Sequence, residues 1–505
     1  MFSFSVNSAA SVVIPPFPQL PSVISPMNND PTSYWYSRFL FERSLALLYL
    51  IAFTVVVNQF VPLLGERGLL PVPRFVEEVP FRASPSLFYL RPTDDAFRAA
   101  GWLGILLSII ALTGIVQHRS AIAAAIVWAL LWLLYLSFVN VGQTFYGFGW
   151  ESLLLEVGFF TIFAGAGTIE PARILNWIYR WTLFRLMFGA GLIKLRGDPC
   201  WRNLTCLDYY FETQPIPNPL SWHFHWLPRS VLHGGVAFNH IVELIVPFGY
   251  FLPQPLAGIA GLITIVFQLT LIVSGNLSWL NWLTIVLAFT TLDNRFLSWL
   301  PVSMPALHPL PYAQRIAVYG LAVLVGFLSI APTLNMLSPQ QVMNTSFNPL
   351  QIVNTYGAFG SVTRERYEIV IEGTAGEASD TNALWREYQF KGKPGDPSRR
   401  PAQIAPYHLR LDWLMWFAAM GSARDQEWFS PMIVKLLEGD RGTIGLLADN
   451  PFPDRPPRWI RARMYRFTFT TRAERNATGR WWNRELVGEF FPAVHLQQPN
   501  ERQDQ

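Results

Sequence analysis

Apolar residues run through the first two thirds of this chain in blocks whose length suits a bilayer rather than a soluble core. A helix of about 20 mostly apolar residues crosses the hydrocarbon layer. Nine segments meet or approach that length: residues 44–64, 99–117, 121–141, 150–167, 175–195, 231–252, 256–274, 277–292 and 315–331. The fourth and eighth are the shortest. Pro and Gly gather between segments, as at Pro71-Val72-Pro73 and at 215–219, where a chain leaving a membrane turns. After about Ser338 the pattern changes to charged and polar residues. Residues 367–372 alternate as a half-buried strand, 385–390 do so less regularly, and 459–470 alternate for long enough to cross a full sheet. Residues 411–420 and 428–437 read as short helices. The expected fold is an α-helical polytopic membrane bundle of about nine transmembrane helices, followed by a soluble, strand-rich α+β C-terminal domain. In segments, the reading is an N-terminal tail and interfacial lead-in over 1–43, a membrane domain over 44–335, a soluble domain over 340–497 and a polar tail over 498–505.

Composition agrees with that pattern. Of 505 residues 51% are hydrophobic and 14% charged, against roughly a quarter charged in ordinary globular domains. A net charge of +4 supplies no basic stripe of the kind that neutralises phosphates, so nucleic acid is excluded as a partner. Residues 1–29 lack a charged n-region and a continuous apolar run, and they read as a disordered tail rather than a signal peptide. Arginines in short loops place the N-terminus on the cytoplasmic side. Nine spans then deliver the C-terminal region and the loop holding Cys200 and Cys206 to the outer or luminal face. That compartment permits a disulfide, and these two are the only cysteines. Their spacing differs from the two-residue gap of thioredoxin-type sites and favours a structural clip over a redox pair.

Ionisable residues at membrane depth are the candidate chemistry, because such groups are costly unless they face protein, water or a counter-charge. Glu151 and Glu156 fall on the fourth segment, Arg180, Arg185 and Lys194 on the fifth, and His233, His240 and Glu243 on the sixth. On an ideal helix His233, His240 and Glu243 lie within about 80° of one another. The favoured reading is that carboxylates of one helix pair with cations of the next; a functional cavity is the other. Lys194 reads as a snorkelling cation at a helix end, with a desolvated base as the alternative. If this cluster were catalytic, Lys194, His240 and Glu243 would be its members. The histidines between His223 and His240 match no metal motif, and neither metal nor cofactor is expected. Trp459, Arg461, Arg463, Tyr465 and Phe467 share one strand face and form a candidate contact strip for a client protein; packed core is the alternative reading of that face. Four Asn-X-Ser/Thr triplets begin at Asn203, Asn276, Asn344 and Asn476. No phosphate-binding glycine loop or nucleophile elbow occurs.

Several long motifs carry a family resemblance: RWTLFRLMFGAGLIKLRGDPCWRNLTCLDYYFETQPIPNP at 180–219, WESLLLEVGFF at 150–160, FNHIVELIVPF at 238–248, LIVSGNLSWLNWLT at 271–284 and NPFPDRPPRWIRARMYRFTFT at 450–470. Through them the chain resembles the lipase maturation factors, multi-pass membrane proteins that help dimeric lipases reach their active fold. The resemblance implies a membrane chaperone whose partners are membrane lipid and a client, lipase-like or another secreted protein. It implies the endoplasmic reticulum membrane in a eukaryote and the cell membrane in a bacterium. The family's distant link to vitamin K-dependent carboxylases implies an alternative, a membrane enzyme or lipid-handling protein using the Lys/His/Glu cluster.

Overall fold

The computed structural model describes residues 33–496; the tails read at 1–29 and 498–505 lie outside the described residues. Helices occupy all nine expected positions: α1 (Trp35–Leu64), α2 (Asp94–Thr113), α3 (Ala121–Asn140), α4 (Gly149–Thr161), α5 (Arg173–Arg196), α6 (Arg229–Gly249), α7 (Leu256–Ser274), α8 (Leu280–Thr291) and α9 (Tyr312–Leu337). Among the described residues six of them, α1, α2, α3, α6, α7 and α9, are both long and apolar enough to cross a membrane. The other three depend on their neighbours. The 13 residues of α4 span only about 20 Å at 1.5 Å each, and every one except Phe159 is buried. α8 is also short. α5 has 24 residues but carries Arg180, Arg185 and Lys194. Helices that are short or charged can lie at membrane depth when protein rather than lipid surrounds them. Close approach elsewhere relies on small residues: a Cβ added at Gly104 of α2 would stand 2.3 Å from the Phe53 ring of α1.

The two ends of the bundle are closed differently. At one face, Trp35 Nε1 donates to the Gly167 carbonyl (2.8 Å), Asn294 N donates to the Ser33 carbonyl (2.9 Å) and Gln314 Nε2 donates to the Phe163 carbonyl (3.2 Å). Those bonds tie the start of α1 to the ends of α4 and α8 and the start of α9. At the other face Gln59, near the end of α1, donates to the His408 carbonyl (2.7 Å), and Asn140, ending α3, donates to the Pro349 carbonyl (3.0 Å). Asn276 Oδ1 there accepts from the backbone N–H groups of Ile404 and Ala405, each at 2.8 Å. The C-terminal region is therefore docked onto this second, domain face, opposite the start of α1.

The C-terminal sheet is antiparallel with order β2-β1-β3-β4, built from β1 (Arg366–Thr374), β2 (Arg386–Glu387), β3 (Trp459–Phe469) and β4 (Trp482–Val494). β1 and β3 pair without interruption from Arg366↔Phe467 to Thr374↔Trp459. Helices α10 (Arg410–Ala418) and α11 (Phe429–Glu438) pack beside it. Two expectations change. The strand read at 385–390 contracts to Arg386–Glu387, and β4 was not anticipated. β4 contains Gly488 and Pro492, which an edge strand tolerates, and its pairing with β3 shifts register three times, so it shows no simple alternation. Burial along β3 changes face part-way. Ile460 and Ala462 join the core that holds Trp428, Phe429 and Ile433, whereas Phe467 and Phe469 join Trp222, Trp481 and Trp482. The larger of these cores runs without a break from Leu45 in α1 to Ile460 in β3, so the membrane and C-terminal parts share one apolar interior.

Candidate functional site

Three buried ionic groups sit at or near the domain face. Glu156, fully buried on α4, accepts from the Arg185 guanidinium of α5, from Thr182 Oγ1 (2.8 Å) and from Tyr356 OH (2.7 Å). The Asn354 backbone N–H (3.0 Å) and Nδ2 (3.1 Å) complete its shell. A buried carboxylate with this many donors is satisfied, which burial of a charge demands. Glu151, one helical turn earlier, does not pair with a neighbouring membrane helix. Its partner is Arg410 of α10, with Nη1 at 2.8 Å, and the Tyr135 hydroxyl also donates to it. The Arg410 guanidinium lies 3.4 Å from the centre of the Tyr146 ring, and His408 Nδ1 stands 3.7 Å from Glu151. Burial among Phe148, Trp150, Trp279 and Trp413 pushes the His408 imidazole down to about 4, with adjacent Arg410 acting in the same direction against Glu151.

The third group corrects the reading of Lys194. It does not snorkel: it is 6% exposed, donates to Glu243 Oε1 (2.5 Å) and Asn239 Oδ1 (3.0 Å), and lies 5.0 Å from the centre of the Trp201 ring. Asn239 Nδ2 in turn donates to Glu243 Oε2 at 2.9 Å. The three residues expected on one face of α6 bond to separate partners, and a π-helical turn runs over Ile241–Ile245. His240 Nε2 donates to the Trp201 carbonyl (2.9 Å), and His233 turns toward Asp208 (3.4 Å). Since a carbonyl only accepts, His240 carries its proton on Nε2 in that contact. Arg180 meets no carboxylate; it donates to the Thr290 and Tyr250 carbonyls at 3.0 and 3.1 Å, oxygens left over at the ends of α8 and α6.

A partly open cavity of about 500 Å³ lies on the domain face. Lys194, Asn239 and Glu243 lie on its wall, Leu186, Met187 and Ala190 come from α5, and Trp413, Trp416 and Phe417 of α10 cover it. Its lining is mainly apolar.

The strip on β3 is not a free surface. Phe467 is fully buried, Trp459 stacks on His495, and Arg461 bonds to Glu372 (2.8 Å) while lying over Trp385. Arg463 also leans on Glu372 (3.7 Å), and Arg484 lies over Tyr465. The same sheet face carries the buried Arg366–Glu368–Lys393 ion group, so internal pairing uses what a partner would need. Cys200 and Cys206 are disulfide-bonded and pack with Trp201, Tyr210 and Phe211. Among the described residues no three His, Cys, Asp or Glu side chains are grouped to hold a metal ion.

A family model described as the lipase maturation factor transmembrane domain matches residues 36–299, and one described as the lipase maturation factor C-terminal domain matches residues 352–492. The chain belongs to the lipase maturation factor family. Lipase maturation factor 1 of Mus musculus is 42% identical over 94% of this chain and 89% of its own length. The Homo sapiens protein of that name is 42% identical over 96% and 92%, and lipase maturation factor 2 of Gallus gallus is 29% identical over 92% and 82%. No solved structure matches. Like the family's transmembrane model, this lipase maturation factor is a membrane protein. Sequence reasoning missed Asn354, Tyr356, His408 and Arg410, the residues of the C-terminal region that complete the membrane carboxylates. The signal available was local: Glu151 and Glu156 stand in the apolar run WESLLLEVGFF, and burying a carboxylate demands several donors.

Proposed function

We propose that this lipase maturation factor assists the folding of lipase-class or other secreted clients on the non-cytosolic face of its membrane, which in a eukaryote is the lumen of the endoplasmic reticulum. The observation that carries this reading is the match, across both the membrane and C-terminal portions, to proteins named for lipase maturation. The role asked of the chain is non-covalent. Exposed apolar and aromatic side chains hold a partly folded client, and water-excluding contacts of that kind serve transient interfaces. On the domain face the exposed candidates are Leu220, Trp226, Phe417, Met420, Leu486 and Val487. They replace the β3 strip, whose side chains are committed internally.

The test is co-expression of a dimeric secreted lipase with the full-length chain in cells lacking their own lipase maturation factor. Secreted lipase activity per molecule rises when the chain is present, and Phe417→Asp with Leu486→Asp removes the gain at unchanged membrane abundance. Equal lipase activity with and without the chain refutes the proposal. Deleting the region after Ser338 is uninformative, because it strips Glu151 and Glu156 of the partners that keep their charges buried.

A further inference from the structure

The cavity on the domain face constrains what can fill it. Its volume of about 500 Å³ lies inside the range of about 300–1,000 Å³ for small-molecule sites. A cavity of this size is commensurate with one acyl chain and a small head rather than with the two chains of a phospholipid. Its floor is formed where membrane helices end, with Met187 and Ala190 of α5, Leu271 of α7 and Leu280 of α8. At its border Met343, Phe417 and Met420 are 40, 41 and 49% exposed. Apolar side chains therefore border its opening.

Charge decides the head. Lys194, the cation on the wall, is already neutralised by Glu243 and held by Asn239, so a carboxylate or phosphate would enter without a free counter-ion. Asn281, 3% exposed and on the same lining, has an amide N–H without an acceptor among the described residues, and a buried donor left unpaired is costly. An uncharged ester carbonyl would supply the missing acceptor. A peptide segment is the competing occupant: its backbone groups need partners when buried, and apart from the non-helical run 356–363 the lining is mostly helix. The geometry points to an uncharged single-chain lipid ester, of the monoacylglycerol class, as the occupant of this cavity. This inference does not depend on what the client is.

The experiment uses the full-length chain in phosphatidylcholine nanodiscs and a monoacylglycerol carrying a photoactivatable diazirine in its chain. After irradiation, adducts are mapped by mass spectrometry. Adducts concentrate on the lining stretches 186–190, 271–284 and 413–420. Excess monooleoylglycerol abolishes them, and oleate competes about tenfold more weakly. Ala190→Trp fills the floor and cuts labelling about tenfold as well; competition on the unaltered chain keeps the test independent of how that variant folds. Adducts spread without competition over lipid-facing side chains such as Leu262, Val266 and Val323 would mean boundary lipid only and overturn the inference. Oleate competing as strongly as the neutral ester overturns it too, as does displacement by an apolar peptide but not by monooleoylglycerol.

Discussion

Replacing Arg410 with Met should destabilise the whole molecule, although Arg410 lies outside every membrane helix. Arg410 and Glu151 are both fully buried, with Nη1 2.8 Å from Oε1. Methionine keeps most of the side chain's length and leaves Glu151 with the Tyr135 hydroxyl and the edge of His408. Removing one member of a buried pair costs about 3–5 kcal/mol, because the remaining charge is stranded. At about 2 °C for each kcal/mol in a large domain, the melting temperature falls by about 6–10 °C. Tryptophan-fluorescence melting of the purified chain in detergent micelles reads this directly. Glu151→Gln combined with Arg410→Met recovers most of the loss, because an uncharged pair no longer needs a counter-ion. A shift below about 2 °C for Arg410→Met, equivalent to about 1 kcal/mol, refutes the argument. So does a double variant whose loss equals the sum of the single ones.

Other outcomes follow from the same packing. The native His408 resists protonation down to about 4, whereas in the unfolded chain it titrates near 6.5, so the unfolded state binds the extra proton between those values. Its contribution of about 3 kcal/mol is complete above pH 6.5 and lost as pH falls toward 4; melting against pH shows this slope, and His408→Gln flattens it. Gly104→Ala forces a methyl into the Phe53 ring and costs about 1–3 kcal/mol, seen as a lower melting temperature that Phe53→Leu partly restores. Expression in a eukaryotic host tests the assigned membrane sidedness: Asn203 and Asn476 are exposed on the domain side and acquire glycans, while Asn276, 2% exposed and bonded to residues 402–405, acquires none. Gel shifts lost in Asn203→Gln and Asn476→Gln read the result, and the absence of any shift in the unaltered chain contradicts the luminal placement.

Much of the architecture was legible from residues alone. Nine apolar blocks with helical length, bounded by Pro and Gly, specify helices, because a helix closes the backbone bonds of one long apolar segment within itself. The long alternation of 459–470 likewise marked β3. What remained hidden were contacts between segments far apart in the chain. Whether Glu151 meets α5 or Arg410, 259 residues away, depends on how the C-terminal region docks. Local pattern carries no term for that. Lys194 followed the rule for helix-end lysines until a π turn and Asn239 brought Glu243 to it. The surroundings of the β3 strip were hidden for a related reason. Alternation correctly put its five side chains on one face, but only the sheet's neighbours could show that Glu372, Arg484, Trp482 and His495 already occupied that face. Sequence by itself determined where the membrane helices and the long strand β3 form and that the chain enters a membrane, since hydrophobic period and length act locally. Tertiary structure alone decided which buried charge answers which and where space is left over. Coulomb pairing and close packing depend on distance in space rather than separation along the chain.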